Sequence, residues 1–234
     1  MEKVTFTIFR YDPAKDKEPR YVDYQVEIRR TGMMVLDALN QIRWEQDGTL
    51  AFRRSCREGV CGSDGLQVNG VNRLGCMTHV DDLAQPVVVQ PLPALAVIKD
   101  LVVDVDHFMD KYFMARPYLI TRTPPPDHEY LQSPEERRKL DGLYECILCA
   151  CCSSSCPSYW ADPQYLGPSA LINIWRFIAD SRDEGAEERL HLLNDRHGVW
   201  RCHTILNCIE ACPKGLNPTR AIAGLKKAIA SSQF

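Results

Sequence analysis

The sequence predicts two domains of different class: a small α+β domain over residues 1–105 and an all-helical domain over residues 133–234, joined by a linker over residues 106–132. Three observations carry this division. The first segment passes from a period of two to a helical period and back. The last segment shows only helical periodicity. Between them stand Pro117, Pro124, Pro125 and Pro126, which favour an extended connection.

Val4-Thr5-Phe6-Thr7-Ile8-Phe9 alternates apolar and polar residues, and so does Val22-Asp23-Tyr24-Gln25-Val26-Glu27-Ile28. A charged loop with Pro13 and Pro19 separates them, so they are expected to pair antiparallel with one face buried. Val35, Leu36, Leu39 and Ile42 recur at helical spacing behind Thr31-Gly32. Leu66-Gln67-Val68 runs into an Asn69-Gly70 turn, a strong hairpin signal, and Pro86 to Gln90 reads as a buried strand. Leu101 to Met114 has room for a helix at the start of the linker. Ser133-Pro134-Glu135-Glu136 then combines an N-cap, a proline in the first turn and a glutamate at the capping-box position. Leu171, Ile174, Trp175 and Ile178 form one helical stripe, and Ile222, Leu225 and Ile229 another; both read as core packing.

Charge narrows the function. There are 28 basic and 31 acidic residues without a block of either sign, so no nucleic-acid footprint is present. No apolar run reaches the ~18 residues of a membrane span, and Met1-Glu2-Lys3 does not open a signal-peptide core. The chain is expected to be soluble by itself and to meet a membrane only through partners. Nor does any Ser/His/Asp set, phosphate-binding loop or carboxylate pair mark an active site.

Eleven cysteines dominate the chemistry. Without an export signal, metal ligation is favoured over disulfides, with structural zinc as the plain alternative. Cys56, Cys61, Asp64 and Cys76 make C-x₄-C-x₂-D-x₁₁-C. That is the plant-type 2Fe–2S spacing with Asp64 at the third position. A carboxylate is a harder iron ligand than thiolate and can be protonated. The competing reading has Asp64 facing solvent beside a labile cluster with three cysteine ligands.

Cys146, Cys149, Cys152 and Cys156 satisfy C-x₂-C-x₂-C-x₃-C-P in full, whereas Cys202, Cys208 and Cys212-Pro213 satisfy it except at Ile205. In two-cluster ferredoxins the last cysteine of each run ligates the other cluster. Cys146, Cys149, Cys152 and Cys212 would then hold a 4Fe–4S cluster. Cys156, Cys202 and Cys208, with aliphatic Ile205 at the fourth corner, suit a 3Fe–4S cluster. The assignment uses ten of the eleven cysteines and leaves Cys151 as a packed thiol. Neither zinc nor disulfides predict that partition.

These residues, together with Ser55 to Gly62, Leu140 to Cys146 and Cys212-Pro213-Lys214-Gly215-Leu216-Asn217-Pro218, closely resemble the iron–sulfur subunits of succinate dehydrogenase. The resemblance covers nearly the whole chain, and Asp64 occurs in some bacterial members. It implies an N-terminal β-grasp domain of plant-type ferredoxin kind, followed by an all-α domain of bacterial-ferredoxin kind. It implies a flavoprotein partner that oxidises succinate on covalent FAD, and two small membrane-anchor subunits, often with haem b. The complex would sit on the cytoplasmic face of a bacterial inner membrane, or on the matrix side in mitochondria. Electrons would pass through 2Fe–2S, 4Fe–4S and 3Fe–4S clusters to ubiquinone or menaquinone. The family's quinone positions match Pro157, Trp160, His203 and Ile205 here, with Ser158 nearby. The family usually has two tryptophans and then Asn, whereas Tyr159-Trp160-Ala161-Asp162 has one in a segment one residue shorter. The iron–sulfur subunit of a fumarate reductase, running electrons the other way, is the alternative.

Overall fold

A computed structural model describes residues 2–232. In chain order, the first stretch contains β1 (Lys3–Arg10), β2 (Arg20–Glu27), α1 (Val35–Glu45), β3 (Gly65–Val68), β4 (Val71–Leu74), β5 (Val87–Gln90), β6 (Val97–Lys99) and β7 (Val102–Val103). The helices that follow are α2 (Asp106–Met114), α3 (Pro134–Arg138), α4 (Cys151–Ser154), α5 (Pro157–Ala161), α6 (Gly167–Ile178), α7 (Ala186–Leu193), α8 (Asn207–Glu210) and α9 (Pro218–Ser232). Two compact units result: Met1–Val105 with Ile147–Ser155, and Asp106–Cys146 with Cys156–Phe234. The stretch 147–155 thus folds with the first unit because Ile147 and Cys149 pack on its core.

In the first unit the sheet order is β2-β1-β5-β3-β4. β1 and β2 pair antiparallel from Lys3↔Glu27 to Arg10↔Arg20, as their alternation requires. β5 lies parallel to β1, pairing Phe6↔Val87 and Ile8↔Val89, which buries every second residue of both strands. Asn69 and Gly70 both take positive φ, the conformation a two-residue hairpin turn needs between β3 and β4. Val35, Leu39 and Ile42 of α1 join Phe6, Ile8 and Val89 in one fully buried core. Each such side chain contributes roughly 1.5–3 kcal/mol by leaving water. Arg10, buried at the end of β1, bonds Asp100, Tyr24, Asp47 and Thr49, tying the sheet to two loops.

In the second unit, α6 packs against α9. Gly224 permits their approach, because a Cβ there would stand 2.7 Å from the Trp175 ring. α3 begins as its sequence indicates: Glu136 N–H donates to Ser133 Oγ at 3.2 Å, and Ser133 N–H to Glu136 Oε2 at 2.8 Å. The proline-rich stretch is laced down over part of its length. Arg189 of α7, 1% exposed, donates to the carbonyls of Ala115, Arg116 and Tyr118 and pairs with buried Asp183. Asp183 in turn accepts from Ile120 N–H at 2.9 Å. Among the described residues, no helix is long and apolar enough to cross a membrane.

Candidate metal centres

The loop before β3 curls because Arg57, Gly59 and Gly62 adopt positive φ. The curl aims the N–H groups of Glu58 and Val60 at Cys56 Sγ, each at 3.5 Å. Burial would raise the Cys61 thiol, but hydrogen bonds from Ser63 and Cys56 outweigh it and hold the thiol down at about 7. Cys76 is pushed up to about 12 by burial and by the Asp64 carboxylate. Asp64 is 3% exposed, so it does not face solvent. Its Oδ2 accepts from Cys76 N–H at 2.6 Å, while its buried Oδ1 has no hydrogen-bond partner among the described residues. A lone buried carboxylate oxygen is costly unless something positive meets it. Three thiols, one of them reluctant to ionise, and that oxygen suit an iron-bearing group, whose charge reverses the local acid–base balance.

Leu148 and Ala150 also take positive φ, turning the next cysteine run back on itself. Gly62 lies against this turn: a Cβ there would meet the Ile147 carbonyl at 2.5 Å. Cys149 packs on the first unit's core, and a hydrogen bond from Cys151 lowers its pKa. Cys151 is itself fully buried, and its carbonyl accepts from Asn72 Nδ2 at 3.1 Å. In the second unit, Cys146 and Cys212 pack around Leu143, Ile172, Leu216 and Ala221. Leu216 N–H approaches Cys212 Sγ at 3.4 Å.

Cys156, Cys202 and Cys208 line one recess of about 320 Å³, open mouth included, together with Tyr165, His203 and Ile205. Thr204 and Leu206 take positive φ, bending the chain around Ile205, which is 46% exposed. Burial raises the thiols of Cys156 and Cys208, and the charges of the neighbouring thiols raise both further. Thr219 Oγ1 stands 3.5 Å from Cys208 Sγ. Thiols near enough to repel one another when ionised suit a cationic iron core. Among the described residues, no three His, Cys, Asp or Glu side chains gather as for a single metal ion. Cluster ligands are divided among two or more irons and so stand farther apart.

Of the expected quinone residues, Pro157, Ser158, His203 and Ile205 line this recess, whereas Trp160 does not. Trp160 lies in α5 and is half-exposed. Sequence reasoning passed over three residues of this unit. Two are Tyr165 and Thr219, which border the recess. The third is Lys111, which is buried with Nζ 3.9 Å above the Tyr159 ring. Burial drives its pKa down to about 8, against the pull of the Asp162 carboxylate. Asp162 also pairs with His197 Nδ1 at 2.7 Å, which lowers its own pKa.

Comparison with known proteins matches both halves. Residues 5–110 fit the 2Fe–2S iron–sulfur cluster binding domain, and residues 142–216 the 4Fe–4S dicluster domain. The succinate dehydrogenase iron–sulfur subunit of Paracoccus denitrificans is 52% identical over 222 residues, covering 94% of this chain and 86% of that protein. The chain belongs to the succinate dehydrogenase iron–sulfur subunit family. The family member from Coxiella burnetii is 50% identical and covers 95% of each chain. Among solved structures, a chain of the Mycobacterium smegmatis Sdh1 complex in the apo form superimposes with a TM-score of 0.86 at 27% identity, covering 98% of this chain and 96% of that one. Family and fold agree with the expected order, a ferredoxin-like α+β domain and then a helical dicluster domain. Membership makes the chain an electron-transfer subunit of a succinate dehydrogenase, with 2Fe–2S and 4Fe–4S binding domains.

Proposed function

We propose that this family member relays electrons from the FAD of a flavoprotein subunit to a membrane quinone, and that its last relay is a 3Fe–4S cluster. The recess carries the reading: three thiols converge there, and Ile205 stands where the motif would place a fourth. When bound, the clusters supply one-electron chemistry that side chains lack.

In this reading Cys56, Cys61, Asp64 and Cys76 hold the 2Fe–2S cluster, with the buried Asp64 Oδ1 facing iron. Cys146, Cys149, Cys152 and Cys212 hold the 4Fe–4S cluster. Cys156, Cys202 and Cys208 hold the trinuclear one. Withholding a thiolate withholds negative charge, which favours the reduced form and raises the potential, as a terminal donor needs. Pro157, Ser158, His203 and Ile205 form the quinone wall, and Trp160, on the same short helix as Pro157 and Ser158, serves the same site. His203 is suited to deliver a proton, and Trp160 to offer its ring and indole N–H. Two small anchor subunits, with or without haem b, cover the exposed Trp160, Ile205 and Leu206 and hold the complex at the inner face of the membrane.

Iron and sulfide analysis with EPR of the oxidised, anaerobically prepared complex tests this. A trinuclear signal is expected in the oxidised state, and its absence would sink the reading. Assaying succinate oxidation and fumarate reduction on the same sample fixes the direction. Trp160→Phe should lower quinone reduction while leaving succinate oxidation by an artificial dye intact. An unchanged quinone rate would remove Trp160 from the site.

A further inference from the structure

We propose that Tyr165 donates a hydrogen bond from its hydroxyl to a sulfur of the trinuclear cluster and so raises that cluster's reduction potential. The inference rests on the trinuclear reading above and assigns it a residue outside the cysteine motif.

Tyr165 is completely buried, yet it lines the recess with Cys156, Cys202 and Cys208. Its hydroxyl oxygen is buried too, and the side chain within hydrogen-bonding reach of it is that of Cys202. A phenol spends a buried polar group only where it meets a partner, since an unmet donor in an apolar setting is costly. Its surroundings are sulfur. A phenol is protonated at neutral pH, so the hydroxyl is a donor. Position is fixed by the chain: Tyr165 N–H donates to the Asp162 carbonyl at 3.1 Å, just before α6 begins.

The sign follows from charge. Reduction places an added electron on the iron–sulfur core, and its sulfurs become stronger acceptors. A neutral O–H therefore binds the reduced form more tightly than the oxidised form and raises the potential. The electron comes from the preceding cluster, and the hydroxyl proton stays on oxygen.

The test is an EPR-monitored redox titration of the whole purified complex with Tyr165→Phe, which keeps the buried ring and removes only the donor. The oxidised trinuclear signal should persist at wild-type intensity. At a fixed applied potential near the midpoint the oxidised-to-reduced ratio should rise about tenfold, which is about 59 mV for a one-electron centre. The other two clusters should titrate as in wild type. An unmoved trinuclear midpoint overturns the proposal. Loss of the trinuclear signal beside two intact clusters also overturns it, since the hydroxyl would then serve assembly rather than potential. ENDOR on the wild-type complex in light and heavy water gives a second measurement: an exchangeable proton coupled to the trinuclear cluster is expected, and its absence overturns the proposal. No trinuclear signal in wild type would instead remove the reading on which the proposal stands.

Discussion

Replacing Lys111 with Met should stabilise the second unit at neutral pH. The ammonium of Lys111 is buried against the Tyr159 ring, and Nζ has no hydrogen-bond partner among the described residues. Burial lowers its pKa from 10.5 to about 8, which at 1.36 kcal/mol per pH unit caps the cost of the charged form at about 3 kcal/mol in the folded chain, a cost that the Tyr159 ring face reduces. The Asp162 carboxylate already offsets part of the full desolvation cost. Below pH 8 the lysine is charged in both states, and the whole cost weighs on folding. Between pH 8 and 10.5 the folded chain sheds the proton first, so wild-type stability rises with pH through that window. Methionine fills similar space without charge and should show no such rise. For a unit of this size, that ceiling of about 3 kcal/mol corresponds to a rise of no more than roughly 10 °C in the unfolding midpoint. Differential scanning calorimetry of wild type and Lys111→Met, at one scan rate from pH 7 to 10, measures both. A variant less stable than wild type at pH 7, or a gap that fails to narrow above pH 8, would refute the reasoning.

Ile205→Cys should restore the full cysteine motif and admit a fourth iron. The oxidised trinuclear EPR signal would then be lost, and the replacement centre would titrate at a lower potential. An undiminished trinuclear signal would show that position 205 does not face the cluster. Arg189→Met should strand the buried Asp183 carboxylate and cost about 3–5 kcal/mol. Limited proteolysis should then cut the laced segment 116–123 faster, and equal cleavage rates would count against the lacing.

The fold was legible wherever structure is written locally. Alternation marked β1 and β2, Asn69-Gly70 marked the hairpin, and Ser133 to Glu136 marked the start of α3. The parallel seat of β5 beside β1 left no trace, because pairing between strands some eighty residues apart depends on no neighbouring residue. α7 also went unread. Its anchor is Arg189, a buried charge, so an apolar stripe is not what fixes it. Cysteine spacing made most candidate ligands readable for the opposite reason: apart from Cys76, each belongs to a run on one short stretch of backbone. Tyr165, Thr219 and Lys111 acquire meaning only from what tertiary folding sets beside them. Trp160 shows the limit of motif matching, since one residue fewer in its segment accompanies a tryptophan outside the recess wall.

The hydrogen bond from Cys76 N–H to Asp64 Oδ2 spans the closed β3–β4 hairpin. Two proposed iron ligands eleven residues of spacer apart are therefore brought together by strand pairing, before any metal arrives. The entropy of closing that loop is met by the hairpin's own hydrogen bonds, so it does not weaken metal capture. The 56–64 loop, held by its left-handed residues, is similarly set in advance. Cluster insertion into the first unit is then the filling of a preorganised receptor, and its rate should depend on delivery of iron and sulfide more than on folding of the chain.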